Sequence, residues 1–229
     1  NNLGLSNSDI VIANVGGGMT DGFYSLSLNL SSTGAGSGAS ATANVVGGKL
    51  SRVWITNPGS GYTTSPTITL TPGSGGGANA SVTYNGEDKK VGGNSAVRYM
   101  TRKVTLADGF DSGDLRVYLT AYKPTGSNIY VYYKLLSGSD SGVFDDKQYQ
   151  LMTQLGNSNF VSTNKKDYRE LSFAPGVSGT ANNTVSYTSG STAFNSFKTF
   201  AIKIVMSGSD TTDVPKVRDL RAIALPAGS

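Results

Sequence analysis

Histidine and cysteine are both missing from the 229-residue chain. Without cysteine there is no disulfide framework and no thiolate metal site, and the sequence carries no mark of redox compartment. Without histidine the commonest general base and the commonest transition-metal ligand are gone as well. Serine–histidine triads, histidine-ligated zinc hydrolysis and haem held through imidazole are therefore excluded. Long apolar runs are also absent: no stretch approaches the ~20 residues of a membrane span, and the amino terminus has neither the basic nor the apolar region of a signal peptide. The expectation is a soluble chain with no membrane contact. It opens at Asn1 without a methionine, which reads as a fragment or a processed product.

Charge is scarce too, at 15% of residues. The formal net charge of +4 is diluted, with residues 1–93 balanced at four basic and four acidic side chains and the excess spread over the remainder. Arg98, Arg102 and Lys103, and the trio Lys216, Arg218 and Arg221, read as solvent-facing strand positions rather than a nucleic-acid footprint. What the chain has in abundance is glycine, 30 residues of it, with serine, threonine, asparagine and tyrosine. That is the composition of a β-rich protein with many tight turns and little helix.

Residues 1–93 contain an imperfect repeat of about forty residues. One half runs from Ile10 to Val45 and the other from Val53 to Asn85. Each has a short strand (Ile10 to Ile12; Val53 to Ile55), an Asn-Gly turn (Asn14, Gly16 to Gly18; Asn57, Pro58, Gly59, Gly61) and a β stretch (Tyr24 to Leu30; Thr67 to Thr71). A glycine loop (Gly34 to Gly38; Gly73 to Gly77) then leads to a strand of small residues (Ala39 to Val45; Ala78 to Tyr84). So short a unit buries little alone, so the repeats are expected to stack on each other or on symmetry mates as a spacer or collar. The triple glycines Gly16 to Gly18 and Gly75 to Gly77 lack the Lys-Ser/Thr pair and strand-to-helix setting of a phosphate loop and read as turn glycines. Glu87 to Lys90 with Gly92 and Gly93 makes a polar joint, which sets domains at 1–93 and 94–229.

The second domain is organised around Val97 to Leu136. Leu115, Val117, Leu119 and Ala121 alternate with Arg116, Tyr118, Thr120 and Tyr122. After the turn residues Lys123 to Asn128, Ile129, Val131, Tyr133 and Leu135 alternate with Tyr130, Tyr132 and Lys134. This two-residue period predicts a long antiparallel hairpin with one apolar face and one tyrosine-rich face. Further strands are expected over 98–106, 168–173, 197–206 and 214–225, with Phe200, Ile202, Ile204 and Met206 inward and Ala201, Lys203 and Val205 outward. One helical turn near Asp145 is followed by a strand. A long surface loop runs from Ala174 to Asn195, with a short strand over 184–187. The fold class is all-β: an antiparallel, jelly-roll-like sandwich preceded by the glycine-rich repeats.

Candidate chemistry is sparse. Asp108, Asp111 and Asp114 sit at spacing 1, 4, 7, unlike the 1, 3, 5 of calcium loops, so a solvated connection is favoured and no metal is assigned. The neighbouring carboxylates Glu87 and Asp88, and Asp145 and Asp146, cannot face each other across a sugar as a glycosidase pair must. No catalytic residue and no cofactor is assigned. Tyr118, Tyr122, Tyr130 and Tyr132 are the candidate interface or ligand face, since amphipathic aromatics populate interfaces and stack on sugar rings; cross-strand pairing or cover from a second sheet is the plainer alternative.

Two blocks carry a family resemblance. The phrase Asn57-Pro58-Gly59-Ser60-Gly61-Tyr62-Thr63-Thr64-Ser65-Pro66 resembles a repeat of large phage tail proteins. The second block comprises Arg98 to Phe110, Asp114 to Val117, Val131 to Lys134, Phe144 to Lys147, Phe200 to Ile204 and Val214 to Ala222. Together they resemble virion structural proteins of contractile-tailed phages that infect cyanobacteria. The resemblance implies a non-enzymatic, multicopy tail, baseplate or fibre part, assembled in the host cytoplasm. It further implies a homo-oligomer, a trimer by analogy with phage tails, contacting other virion proteins and neither nucleic acid nor membrane. Crowded Gly and Ala strands around a three-fold axis are the expected contact. The alternative is a carbohydrate- or receptor-binding domain of a fibre or bacterial surface protein, with host glycan as partner.

Overall fold

The computed structural model describes residues 10–27, 37–60, 67–70, 77–82, 86–93, 95, 97–176, 184–208 and 212–226. The glycines at 34–36 and 73–76, the Gly61 to Pro66 part of the repeat phrase, and residues 177–183 of the long loop lie outside them. The chain divides into two compact units, Asn1–Asn94 and Ser95–Ser229.

The first unit holds β1 (Ile10–Asn14), β2 (Gly22–Ser27), β3 (Ser37–Val46), β4 (Lys49–Ser60), β5 (Thr67–Leu70) and β6 (Ala78–Val82). They form two three-stranded antiparallel sheets, ordered β2-β3-β4 and β1-β6-β5. The two repeats exchange their first strands: β4, which opens the second repeat, pairs with β3 of the first, and β1 pairs with β6 of the second. The Asn-Gly turn is built alike in both halves. The Gly16 amide donates to Asn14 Oδ1 at 2.9 Å and the Gly59 amide to Asn57 Oδ1 at 3.0 Å. Both glycines take the left-handed φ that side chains resist, 66° and 63°.

Alternation along β3 sends Ala39, Ala41, Ala43 and Val45 inward, where they meet Leu50, Val53, Met19 and Ala78, with Ile10, Ile12, Tyr24 and Ile55 packed around them. The alanines are thus consumed inside the chain. β3 is the central strand of its sheet, and small side chains let the second sheet approach closely. Their burial within the unit is by itself a reason for their small size: the two repeat sheets stack on each other.

The second unit holds β7 (Arg98–Met100), β8 (Val104–Thr105), β9 (Asp114–Tyr122), β10 (Ser127–Leu136), a single 3-10 turn (Phe144–Asp146), β11 (Gln150–Leu151), β12 (Thr153–Leu155), β13 (Arg169–Ala174), β14 (Tyr187–Ser189), β15 (Thr192–Phe194), β16 (Thr199–Gly208) and β17 (Lys216–Leu225). Two antiparallel sheets enclose one core: a front sheet ordered β11-β10-β16-β7, with β8 also on β16, and a back sheet ordered β12-β13-β9-β17. The expected all-β sandwich is the observed architecture. Leu115, Val117, Leu119 and Ala121 of the back sheet face Ile129, Val131, Tyr133, Leu135, Phe200, Ile202 and Ile204 of the front, with Leu171, Phe173 and Phe197 filling the space between. Each large apolar side chain buried here is worth roughly 1.5–3 kcal/mol.

The predicted hairpin is not formed. β9 pairs with β13 and β17, whereas β10 pairs with β16 and β11, so the two strands lie in opposite sheets and their apolar faces look at each other across the core. The cause is the connection. The Lys123 backbone is pinned on both sides, its amide donating to Ser162 Oγ at 2.9 Å and its carbonyl accepting from the Ser162 amide at 2.8 Å. The Lys123 ammonium reaches the Ser158 carbonyl at 3.0 Å. Pro124 to Ser127 then turns, and the chain crosses to the other sheet instead of folding back beside itself.

Three smaller departures follow the same logic. The strand expected over 98–106 is split into β7 and β8, both on β16, because the Thr101 side chain between them takes the Ile202 amide at 2.9 Å. The long loop contains a hairpin, β14-β15, whose first strand begins at the last residue of the expected one, with Tyr187 and Phe194 stacked at 5.3 Å. The outward positions of β16 are buried as well, Ala201, Lys203 and Val205 included, because the 3-10 turn and Tyr149 cover that face.

Candidate functional site

The four tyrosines do not share a surface. Tyr118 and Tyr122 lie on the outer face of the back sheet, Tyr130 and Tyr132 on that of the front sheet. The Arg221 guanidinium covers Tyr118 at 5.2 Å. Tyr122 is buried; its hydroxyl donates to both Asp213 oxygens at 2.9 Å, and its ring leans on Tyr168, which Arg218 covers at 3.7 Å. Burial and then the Asp213 carboxylate push the Tyr122 hydroxyl above its usual range. Tyr132 is buried under Lys203 at 4.6 Å. A continuous aromatic face for a sugar or a neighbouring subunit is therefore not assembled from these residues. The plainer reading, cover within the domain, fits three of them.

In place of that face the front sheet carries a buried cationic cluster. The Lys203 ammonium lies between the rings of Tyr132 and Tyr149, 4.6 and 4.4 Å from their centroids. Lys134, also buried, lies 4.6 Å from Tyr149 and 5.7 Å from Phe144. The negative faces of the rings replace part of the hydration these ammonium groups lose. Burial is the first cause that pushes the Tyr149 hydroxyl up, and it donates to Met100 Sδ at 3.6 Å.

A second polar group closes one end of the sandwich. Asp140 Oδ2 accepts from Lys147 Nζ at 2.7 Å and from the Tyr187 hydroxyl at 2.8 Å, while Oδ1 accepts from the Gly142 amide at 2.8 Å. Tyr187 accepts in turn from the Ser137 amide at 2.7 Å. A Cβ at Gly142 would lie 2.5 Å from Lys147 Nζ and 2.9 Å from Asp140 Oδ1, so a side chain there would displace the ends of the two paired groups. Lys147 also reaches Ser189 Oγ at 2.7 Å, the contact a serine–lysine dyad would need. The same ammonium is held by Asp140 Oδ2, so the contact belongs to an ion-paired clamp across this end of the sandwich.

Burial raises Asp140, but Lys147, the Gly142 amide and Tyr187 together outweigh it and hold the carboxyl at about 2, below its ordinary 3.8. A depressed carboxylate contributes stability that is complete above its unfolded value and is lost as pH falls through the folded one. Acid unfolding should therefore gain slope between about pH 4 and pH 2. Asp140→Asn should flatten that segment of the curve while lowering stability at neutral pH. An unchanged acid limb would remove Asp140 from the linkage.

The three loop aspartates diverge. Asp108 pairs with Lys198 at 2.5 Å, and Asp114 turns to the Leu115 amide at 2.7 Å and Arg116 Nε at 3.0 Å. Asp111 lies beside Gly138. Among the described residues no group of three or more acidic side chains could hold a metal. Asp145 and Asp146 occupy the exposed 3-10 turn, and Glu87 is buried while Asp88 is half-exposed beside Lys89, so neither pair converges.

Among the described residues a cavity of about 260 Å³ lies between the edges of the two sheets, lined by Tyr99, Ile204, Met206, Val217, Arg218, Asp219 and Leu220. It sits where β17 bulges between Val217 and Asp219. Lys216, Arg218 and Arg221 are exposed strand positions, as the sequence suggested, with Arg218 lying over Tyr168 and Arg221 over Tyr118.

No protein-family model, curated protein or solved structure matches the chain.

Proposed function

We propose that the chain is a non-enzymatic structural component of a phage virion, of the tail, baseplate or fibre type, that works as a homo-oligomer and joins neighbouring subunits through its sandwich domain. The observation that carries this reading is the edge strand β17. It runs for ten residues, pairs with β9 alone, and keeps Arg221, Ala222 and Ile223 exposed along its regular half. Proteins that work alone shorten, cover, bulge or charge such an edge; here the bulge and the charges lie within Lys216 to Arg221, and Ala222 to Leu225 carry neither. Here the opposite sheet edge adds exposed Val97, Tyr99, Met100 and Val104, and the apolar cavity opens between the two. Exposed apolar side chains along two neighbouring sheet edges are suited to a contact site. The family resemblance supplies the virion setting and the trimer as the expected count; the edge supplies a surface through which copies associate.

Light scattering on the full chain over a range of concentrations tests the reading. The oligomer is expected to persist at micromolar concentration, and Ile223→Lys, which adds a charge to an exposed edge position, should release smaller species with an unchanged β spectrum. A monodisperse monomer at every concentration would overturn it.

A further inference from the structure

The first unit exposes an aromatic shelf that no packing requirement explains. On the outer face of the β2-β3-β4 sheet the register sets Phe23, Asn44 and Arg52 on one rung and Ser25, Thr42 and Trp54 on the next. Phe23 and Trp54 reach towards each other across the central strand, ring centroids 6.1 Å apart and edge to face. The Arg52 guanidinium lies 5.5 Å from the Trp54 ring. Phe23 is 73% exposed, the largest exposure among the big apolar side chains described. Ser40 and Thr56, their hydroxyls 3.0 Å apart, extend the polar strip beyond the rings.

The sister sheet shows that the scaffold does not need these rings. In the repeat alignment Trp54 stands where the first half has Val11, which is itself exposed, and Phe23 stands where the second half has Pro66. The unit's own core lies on the opposite face and uses neither residue. An exposed phenylalanine beside the chain's single tryptophan is costly surface unless something covers it.

We infer that this shelf is a binding site for an acidic oligosaccharide, a hexose polymer bearing carboxylates. A pyranose presents an apolar C–H face that stacks on an aromatic ring and a rim of hydroxyls that needs donors and acceptors at the ring's edge. Asn44, Thr42 and Ser25 supply those beside the rings. The single formal charge on the two rungs is Arg52, a planar fork that suits a carboxylate. A protein partner would need about 800 Å² on each side with an apolar centre, and two rings among Ser, Thr and Asn do not provide it. Single-stranded nucleic acid would need a row of cations along its backbone, and these rungs offer one. The glycan reading of the sequence thus moves from the four sandwich tyrosines to the repeat unit.

Because Trp54 is the chain's only tryptophan, its fluorescence reports on this site alone. The full chain is titrated with oligogalacturonate, oligoalginate and hyaluronan fragments, with their carboxyl-reduced counterparts, and with a single-stranded oligonucleotide. At least one acidic oligosaccharide should shift or quench Trp54 emission. Phe23→Ala and Arg52→Ala, both at exposed positions, should weaken that binding tenfold or more with an unchanged β spectrum, and Tyr118→Ala should leave it intact. No response to any acidic oligosaccharide, equal binding of the reduced forms, or a response to the oligonucleotide alone would each overturn the assignment.

Discussion

Val117→Asp is expected to abolish folding of the sandwich. Val117 is fully buried between the sheets, opposite Phe173 on one side and Ala222 on the other, with no polar group placed to receive a carboxylate. A charge buried without a partner costs more than about 4 kcal/mol, a large part of the stability of a domain this size. Three residues along, Thr120 points to the outer face and occupies a rung between Glu170 and Asp219. Thr120→Asp therefore sets a third carboxylate directly beside two others and should cost about 0.5–1 kcal/mol, since like charges opposite one another on a sheet repel. Thr120→Lys reverses that sign and should be neutral or slightly stabilising. Urea unfolding of the three variants gives the order. Equal tolerance of Val117→Asp and Thr120→Asp would mean that β9 is turned the other way about.

That ordering depends on strand alternation, which was fully legible in the sequence: Leu115 to Ala121, Ile129 to Leu135 and Phe200 to Ile204 all face as their two-residue period says. Partnership was not legible. An apolar stripe on two successive strands is the same whether they lie side by side in one sheet or face each other across a core, so β9 and β10 read as a hairpin although they form the two walls. What separates these is the partner each strand finds, β16 for β10 and β13 and β17 for β9, together with the clamp on Lys123 from Ser162, 39 residues away, and none of these has a mark of its own in the sequence. The repeats show the same limit. Their halves align residue by residue down to the Asn-Gly turn, yet the exchange of β1 and β4 depends on which neighbour completes each sheet.

The candidate site was less legible for a related reason. Tyrosine count suggested a face, but exposure is set by what lies above each strand. Phe144 and Tyr149, on a short connection, cover Lys134 and Lys203, and Asp213, on another, takes the Tyr122 hydroxyl. The Asp140 clamp joins residues 47 positions apart. Trp54 and Phe23 could have been found by asking where the two repeat halves differ in aromatic content, since a scaffold position that accepts valine in one copy has no structural need of tryptophan in the other.

The buried lysines make the last expectation the most diagnostic of the front sheet. Tyr149 is shared by Lys203 and Lys134 at 4.4 and 4.6 Å, so Tyr149→Leu leaves a shorter apolar group with no ring face beside two buried ammonium groups. Loss of a partner from a buried charge costs about 3–5 kcal/mol, and a desolvated cation–ring contact is worth about 2 kcal/mol, which brackets the expected destabilisation. Lys203→Met removes the more deeply buried of the two charges, and the flexible thioether can fill the slot between Tyr132 and leucine as readily as between two tyrosines. In the double variant the second substitution should therefore cost much less than it does alone. A double-mutant cycle in urea should return a coupling of at least about 1 kcal/mol, well above the roughly 0.3–0.5 kcal/mol within which independent sites add. Additive losses would mean that Tyr149 acts on Lys203 as apolar cover alone, and that the ring's charge distribution has no part in holding an ammonium group inside the sheet.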